Sequence, residues 1–305
     1  MKRLFTFGCS FTQYSWPTWA DIIGREYDYF ENWGKAGSGN HLILYLLSEC
    51  ILKNKLNSND LVIIMWTNIA REDRYVNNKW ISPGNIFCQK EYSNELVVKY
   101  ADDKGYLITN LAVIHAVKKM LEEYKIPHIF TSMVNLNSIG RHNELTIGGV
   151  SQIWNEYLDI LNFIRPSMFD IIFNQQWSVR TLAGYPFYES ALENKYNELA
   201  GTDWPSFEKF KTNNFSEVPQ SILTELNEVK KWNEFIQFKK KIKSKRIDSH
   251  PIPMEHLKYI ETVIPEISIS DSTKEWVGII NSRLLSNKKF NDLWKEQQHA
   301  APNRW

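Results

Sequence analysis

Cysteine is scarce in this chain: Cys9, Cys50 and Cys88 are the whole supply in 305 residues. An odd number without CxxC spacing argues against a disulfide framework and against a thiolate metal site, and fits free thiols in a reducing compartment. Long apolar runs are missing as well. Nothing approaches the ~20 apolar residues of a membrane span, so a soluble protein without a membrane partner is expected. Met1-Lys2-Arg3 has the charge of an export signal, but the apolar run behind it breaks at Gly8-Cys9-Ser10 before an apolar signal core develops, which points to a cytoplasmic location. Excess charge of one sign is absent, with Lys+Arg 36 against Asp+Glu 35, and this excludes an overall polyelectrolyte partner such as nucleic acid. No HExxH or comparable ligand spacing occurs, so no catalytic metal and no cofactor are expected. Repeats and low-complexity tracts are lacking too.

What the chain does have is alternation. Arg3-Leu4-Phe5-Thr6-Phe7 has the aromatic and β-branched bias of a buried strand. A short helix is expected over 16–24, with Pro17 in its first turn, then a strand over 27–33 and a glycine-dense loop, Gly34-Lys35-Ala36-Gly37-Ser38-Gly39-Asn40. Ile43, Leu46, Leu47, Cys50 and Ile51 recur at helical spacing, and Asp60-Leu61-Val62-Ile63-Ile64-Met65-Trp66 is apolar enough for a strand buried on both faces. Leu107, Leu111, Ile114, Val117 and Leu121 mark a further helix, and 128–133 a fourth strand. Alternating β and α elements predict a parallel, doubly wound α/β sheet, read as a single domain over 1–305. Residues 77–106 read as a hairpin or irregular insertion, and 150–245 as a mostly helical insertion or lid. The basic run Lys239–Arg246 reads as the solvated end of a helix.

Gly8-Cys9-Ser10 delivers a hydroxyl to the rim beyond the carboxyl end of the first strand, where open α/β sheets bind ligands. A serine is a weak nucleophile until a base takes its proton, and a histidine oriented by a carboxylate is the usual base. Asp248-Ser249-His250 offers both on one turn, followed by Pro251. Attack on an ester carbonyl also builds an oxyanion that needs fixed donors. Gly37 can supply a bare backbone N–H, and Asn68, at the end of the third strand, a side-chain amide.

Ser10, Gly37, Asn68 and His250, in that order on strand-end loops, resemble the SGNH (GDSL-like) hydrolase superfamily, whose blocks carry Ser, Gly, Asn and His. The resemblance implies a three-layer, flavodoxin-like sandwich and acyl-ester chemistry. It implies Ser10, Asp248 and His250 as catalytic residues, with Ser10, Gly37 and Asn68 forming the oxyanion hole. Cys9 stands where family members commonly have Asp. Trp66-Thr67-Asn68-Ile69 lacks the Gly and the Asp that usually flank the block-three Asn, and Asp248-Ser249-His250 is one residue shorter than the common Asp-x-x-His. Twelve tryptophans favour an O-acylated, notably acetylated, carbohydrate or another small ester as substrate. Arg71, Arg74 and Trp16 are candidate substrate contacts; the alternatives are an ion-pair cluster for the first two, together with Asp73, and core packing for the third. Acyl transfer to a sugar hydroxyl, a non-catalytic binding protein on the same fold, and Cys9 as the nucleophile remain the competing readings.

Overall fold

A strand covered by helices on both faces needs apolar side chains at successive positions, and the runs that satisfy this pair with one another. The computed structural model describes residues 2–87, 92–136, 150–173, 185–201, 204–212, 226–246 and 250–285; Cys88 and Asp248 lie outside them. In chain order the elements are β1 (Arg3–Phe7), α1 (Trp19–Gly24), β2 (Tyr29–Asn32), α2 (Asn40–Asn54), β3 (Asp60–Trp66), β4 (Arg71–Val76) and β5 (Lys79–Asn85). They continue with α3 (Asn94–Tyr100), α4 (Asp103–Glu123), β6 (His128–Ser132), α5 (Val150–Glu156), α6 (Leu158–Phe163) and α7 (Met168–Phe173). Last come α8 (Tyr185–Leu199), α9 (Phe207–Thr212), α10 (Leu226–Arg246), α11 (Pro253–Val263) and α12 (Asp271–Leu285).

β1, β2, β3 and β6 make one sheet in the order β2-β1-β3-β6, with every neighbouring pair parallel. The chain leaves β1 toward β2 and then returns past it to β3, so the carboxyl ends of β1 and β3 flank a topological switch point, where α/β sheets open a crevice. Side chains divide with the period of two that a strand imposes. Phe5, Phe7, Val62, Ile64 and Trp66 pack with Leu42, Leu46 and Leu47 of α2 and Leu111 and Ile114 of α4. Leu4, Ile63 and Met65 pack on the other side with Trp19 and Ile22 of α1 and Tyr259 and Ile260 of α11. The result is the expected three-layer α/β arrangement.

The chain divides into two compact units, Met1–Arg180 with Pro251–Ile280 and Asn291–Trp305, and Thr181–His250 with Asn281–Phe290. The first holds the sheet. Within it, Ile160 and Leu161 of α6 join the α2/α4 face, and Met168 and Phe173 of α7 join the α1/α11 face, so these helices complete the layers. The second unit has an aromatic core of its own, where Tyr196 of α8, Trp204, Phe207 and Phe210 of α9 and Phe235 of α10 pack together. No helix among the described residues is long and apolar enough to cross a membrane.

Two element boundaries differ from the sequence reading for local reasons. The helix expected from residue 16 begins at Trp19, because Thr18 is extended and its N–H and hydroxyl both lie 2.9 Å from the Asp21 carboxylate. The hairpin starts at Arg71 rather than near 77, since the polar run Arg71-Glu72-Asp73-Arg74 pairs antiparallel with β5.

Burial pushes the Asp21 carboxyl up to about 6, against bonds from Thr18 and Asn32 that favour its charge. A carboxyl whose folded pKa is raised contributes stability that is complete below its unfolded pKa, 3.8, and is lost as pH climbs through about 6. Urea unfolding of the parent and Asp21→Asn between pH 4 and 7 is therefore expected to show the stability of the variant, relative to the parent, rising with pH. A difference independent of pH counts against a raised Asp21.

Candidate active site

At the end of β1 the chain reverses through Gly8 into a single helical turn. The Cys9 carbonyl accepts from the N–H groups of Thr12 (2.8 Å) and Gln13 (3.0 Å), which makes Ser10 the first residue of that turn. Only glycine fits at position 8, because an added Cβ would stand 2.1 Å from the Thr12 hydroxyl and 3.0 Å from the Met65 carbonyl. Ser10 is 8% exposed, and among the described residues neither its N–H nor its hydroxyl has a hydrogen-bond partner. An amide in the first turn of a helix has no acceptor within the helix. Cys9 is fully buried, with Sγ 3.5 Å from Met133 Sδ in the core, so its thiol is turned away from solvent.

The two other strand-end loops are tied to this turn. The Gly8 carbonyl accepts from the Lys35 N–H (2.9 Å), and it shares the Ser38 hydroxyl (2.9 Å) with the Lys35 carbonyl (2.8 Å). The Ser38 carbonyl in turn takes the Thr67 hydroxyl (3.2 Å) and an Arg71 guanidinium N–H (3.0 Å). Asn40, fully buried, accepts from the Thr67 N–H (2.8 Å) and donates to the Thr67 carbonyl (3.2 Å) and to Asn110 Oδ1 (2.8 Å). Asn110 continues the web by donating to the Ile69 carbonyl (2.9 Å). The loops bearing Ser10, Gly37 and Asn68 are thus one hydrogen-bonded assembly within the first unit.

Besides those of Ser10, donors on both other loops are uncommitted among the described residues. Asn68 Oδ1 accepts from the Ala70 N–H (2.8 Å); that bond sets which end of the half-buried amide is oxygen and leaves Nδ2 with no acceptor among the described residues. Gly37 has φ +82°, and its N–H also has no acceptor among the described residues. A Cβ there would lie 2.2 Å from the Ser82 carbonyl of β5, so backbone angle and space both require glycine.

The other sequence-predicted residues are distributed as follows. His250 is half-buried and is the last residue of the second unit's first segment. One peptide bond later, in the first unit, the Pro251 carbonyl accepts from the Trp16 indole N–H at 2.7 Å. Glu255 accepts from the Ile252 N–H (2.8 Å), and Pro253 opens α11, which fixes the segment beyond. Trp16 is buried at 6% exposure with its edge against Tyr14, which makes it an anchor for Pro251. Arg74 pairs at the surface with Glu72. Arg71 has no carboxylate partner among the described residues; its second terminal nitrogen lies 3.6 Å from Met133 Sδ. Asp73 accepts from the N–H groups of Gly39 (2.9 Å) and Leu42 (3.0 Å) and from the Ser82 hydroxyl (2.9 Å), closing the start of α2; burial raises its pKa despite these bonds.

Ser38, Asn40 and Asn110 are not among the residues that the sequence singles out, yet they tie the three loops together. Asn110 did leave a trace: it interrupts the apolar stripe of α4 between Leu107 and Leu111 and is 1% exposed. A polar side chain on a buried helix face must be meeting a partner. Among the described residues no group of three or more His, Cys, Asp or Glu is placed to hold a metal ion.

No family model matches the chain, and no curated protein matches it. Among solved structures it is similar to a member of the lipolytic protein G-D-S-L family from Veillonella parvula DSM 2008, at 15% identity over 60% of this chain and 86% of that one, with a TM-score of 0.35. A second structure, of a protein assigned to the lipolytic G-D-S-L family from Desulfitobacterium hafniense DCB-2, is similar at 15% identity over 56% of this chain and 79% of that one, with a TM-score of 0.32.

Gly37→Ala is expected to cost about 1–3 kcal/mol in unfolding free energy, from the positive φ and the collision with Ser82. Chemical denaturation checks this, and an unchanged midpoint would show that the loop relaxes freely.

Proposed function

We propose that the chain is a serine ester hydrolase working through an acyl-serine intermediate on an O-acetylated carbohydrate or another small ester. The observation that supports it most is the company of Ser10: a hydroxyl without a partner among the described residues, on a turn bonded to the loop that carries Gly37 N–H, which is bonded in turn to the loop that carries Asn68 Nδ2, both donors uncommitted. Unsatisfied polar groups at a nearly buried place are costly to folding, and donors gathered around a nucleophile find their acceptor in the substrate.

In this reading His250 takes the Ser10 proton as Oγ attacks the acyl carbonyl, and Asp248 orients the imidazole. The carbonyl oxygen, now negative, receives the N–H groups of Ser10 and Gly37 and the Asn68 amide. Donors fixed in advance do not have to reorganise as charge develops, and each can be worth ~3–4 kcal/mol in the transition state. Collapse breaks the ester C–O bond, and the alcohol leaves with the proton from His250. A water then attacks the acyl carbon, passes a proton to His250, and the acid departs as Ser10 Oγ regains that proton. Arg71, which reaches the Ser38 carbonyl beside Gly37, borders the space where the alcohol part would sit.

Labelling with a fluorophosphonate probe tests the nucleophile: one adduct on Ser10 by peptide mapping is expected, lost in Ser10→Ala and in His250→Ala. Folded protein that takes no adduct would sink the hydrolase reading. Asn68→Ala is expected to lower kcat on p-nitrophenyl acetate by about 10²–10³ with little change in KM, the pattern of a donor used in the transition state.

A further inference from the structure

We infer that the cleft beside Arg71 is the binding site for the hydroxyl-rich, uncharged part of the ligand, a sugar ring. This inference rests on the ester-hydrolase reading for its link to chemistry, and on the cleft itself for the ligand class. The cleft has a volume of about 450 Å³ and lies in the first unit, between the start of α2, the β4–β5 hairpin and the start of α4. That volume is in the range of small-ligand sites.

Its lining decides among ligand classes. Tyr45, Tyr100 and Tyr106 present rings, His41 an imidazole, Glu72, Asp73 and Asp102 carboxylates, and no aliphatic side chain takes part. A fatty acyl chain gains its affinity from apolar contact and would find little there. An anionic ligand would meet three carboxylates, of which Asp73 already accepts from Gly39, Leu42 and Ser82, beside the Arg71 guanidinium and the His41 imidazole. A sugar ring fits both kinds of wall, because its C–H faces lie on aromatic rings while its hydroxyls need donors and acceptors together. Tyr45, 46% exposed, is packed on one side against Trp80 at a centroid distance of 5.2 Å, so its orientation is held before a ligand arrives. Tyr100 is 68% exposed at the other wall. The Tyr106 hydroxyl is bonded to Glu72, and Asp102 accepts from the Gly105 N–H through Oδ1 (2.7 Å) while no bond to its other oxygen is made among the described residues. Rings already held and acceptors already placed reduce what binding must order.

Arg71 joins this cleft to the nucleophile turn. It lines the cleft and also contacts the Ser38 carbonyl, next to Gly37, and Met133 Sδ, which the Cys9 thiol touches next to Ser10. A ring in the cleft would have its ester directed past Arg71.

The test uses full-length Ser10→Ala titrated with 6-O-acetylglucose, followed by NMR chemical shifts, with Tyr45→Ser, Tyr100→Ser and Tyr124→Ser added singly. Tyr124 is exposed in the first unit outside the cleft and serves as the control. Affinity is expected to fall tenfold or more with Tyr45→Ser and Tyr100→Ser and to hold with Tyr124→Ser, thermal melts reporting that each variant folds. In the Ser10-containing chain the same two substitutions should raise KM for 6-O-acetylglucose tenfold. Absence of binding, equal binding by all variants, or tighter binding of O-acetylated glucuronate or of p-nitrophenyl hexanoate overturns the assignment. Binding that depends on both tyrosines, with no turnover by the Ser10-containing chain, overturns the hydrolase reading and leaves the sugar site standing.

Discussion

Where a buried strand ends, the sheet stops pairing its backbone, and the peptide groups beyond it still lie in a place water hardly reaches. This constraint shapes the rim above β1 and β3. An unpaired buried peptide group costs about as much as the hydrogen bond it lacks. Here the carbonyls of Gly8, Ser38, Thr67 and Ile69 are met by Lys35, Ser38, Arg71, Asn40 and Asn110, each from a segment other than the one that carries the carbonyl. The loops cannot shift separately, because moving one strips partners from the next. Against that background the groups on these loops that have no partner among the described residues, the Ser10 hydroxyl, the Gly37 N–H and Asn68 Nδ2, stand out.

Much of the fold beneath this rim is legible in the sequence. The strands announce themselves because burial on both faces demands unbroken apolar runs, as in Val62–Trp66, and a glycine ending such a run announces a sharp reversal, as at Gly8. Helical spacing located α2 and α4 within a few residues of their ends. What stayed hidden are features made by two distant segments at once. Arg71-Glu72-Asp73-Arg74 reads as a charge cluster, yet it is a strand, because the pairing that defines it is supplied by β5. Asp73 looks free to bind a ligand until the start of α2 arrives and takes its lone pairs. The tyrosines of the cleft come from positions 45, 100 and 106, and no spacing rule links them.

The tryptophan load divides along the same line. Trp19 and Trp66 are fully buried parts of the sheet's two faces, Trp204 and Trp232 belong to the aromatic cluster of the second unit, and Trp80 backs Tyr45. Abundance of a residue type states how much ring surface the chain carries; tertiary structure decides which rings face outward. In this protein the exposed aromatic surface of the cleft is tyrosine, and tryptophan supports it from behind.

The bond from Trp16 to Pro251 spans 235 positions of chain. During synthesis the Ser10 turn is made before the carbonyl that receives the Trp16 N–H, which emerges only after the whole of the second unit's main segment. Domains form as they are made, amino-terminal parts first. The nascent chain therefore carries Trp16 through 235 further positions of synthesis before the segment that follows His250 is in place, and the bond to Pro251 serves as a record that the polypeptide has been made through to the start of α11.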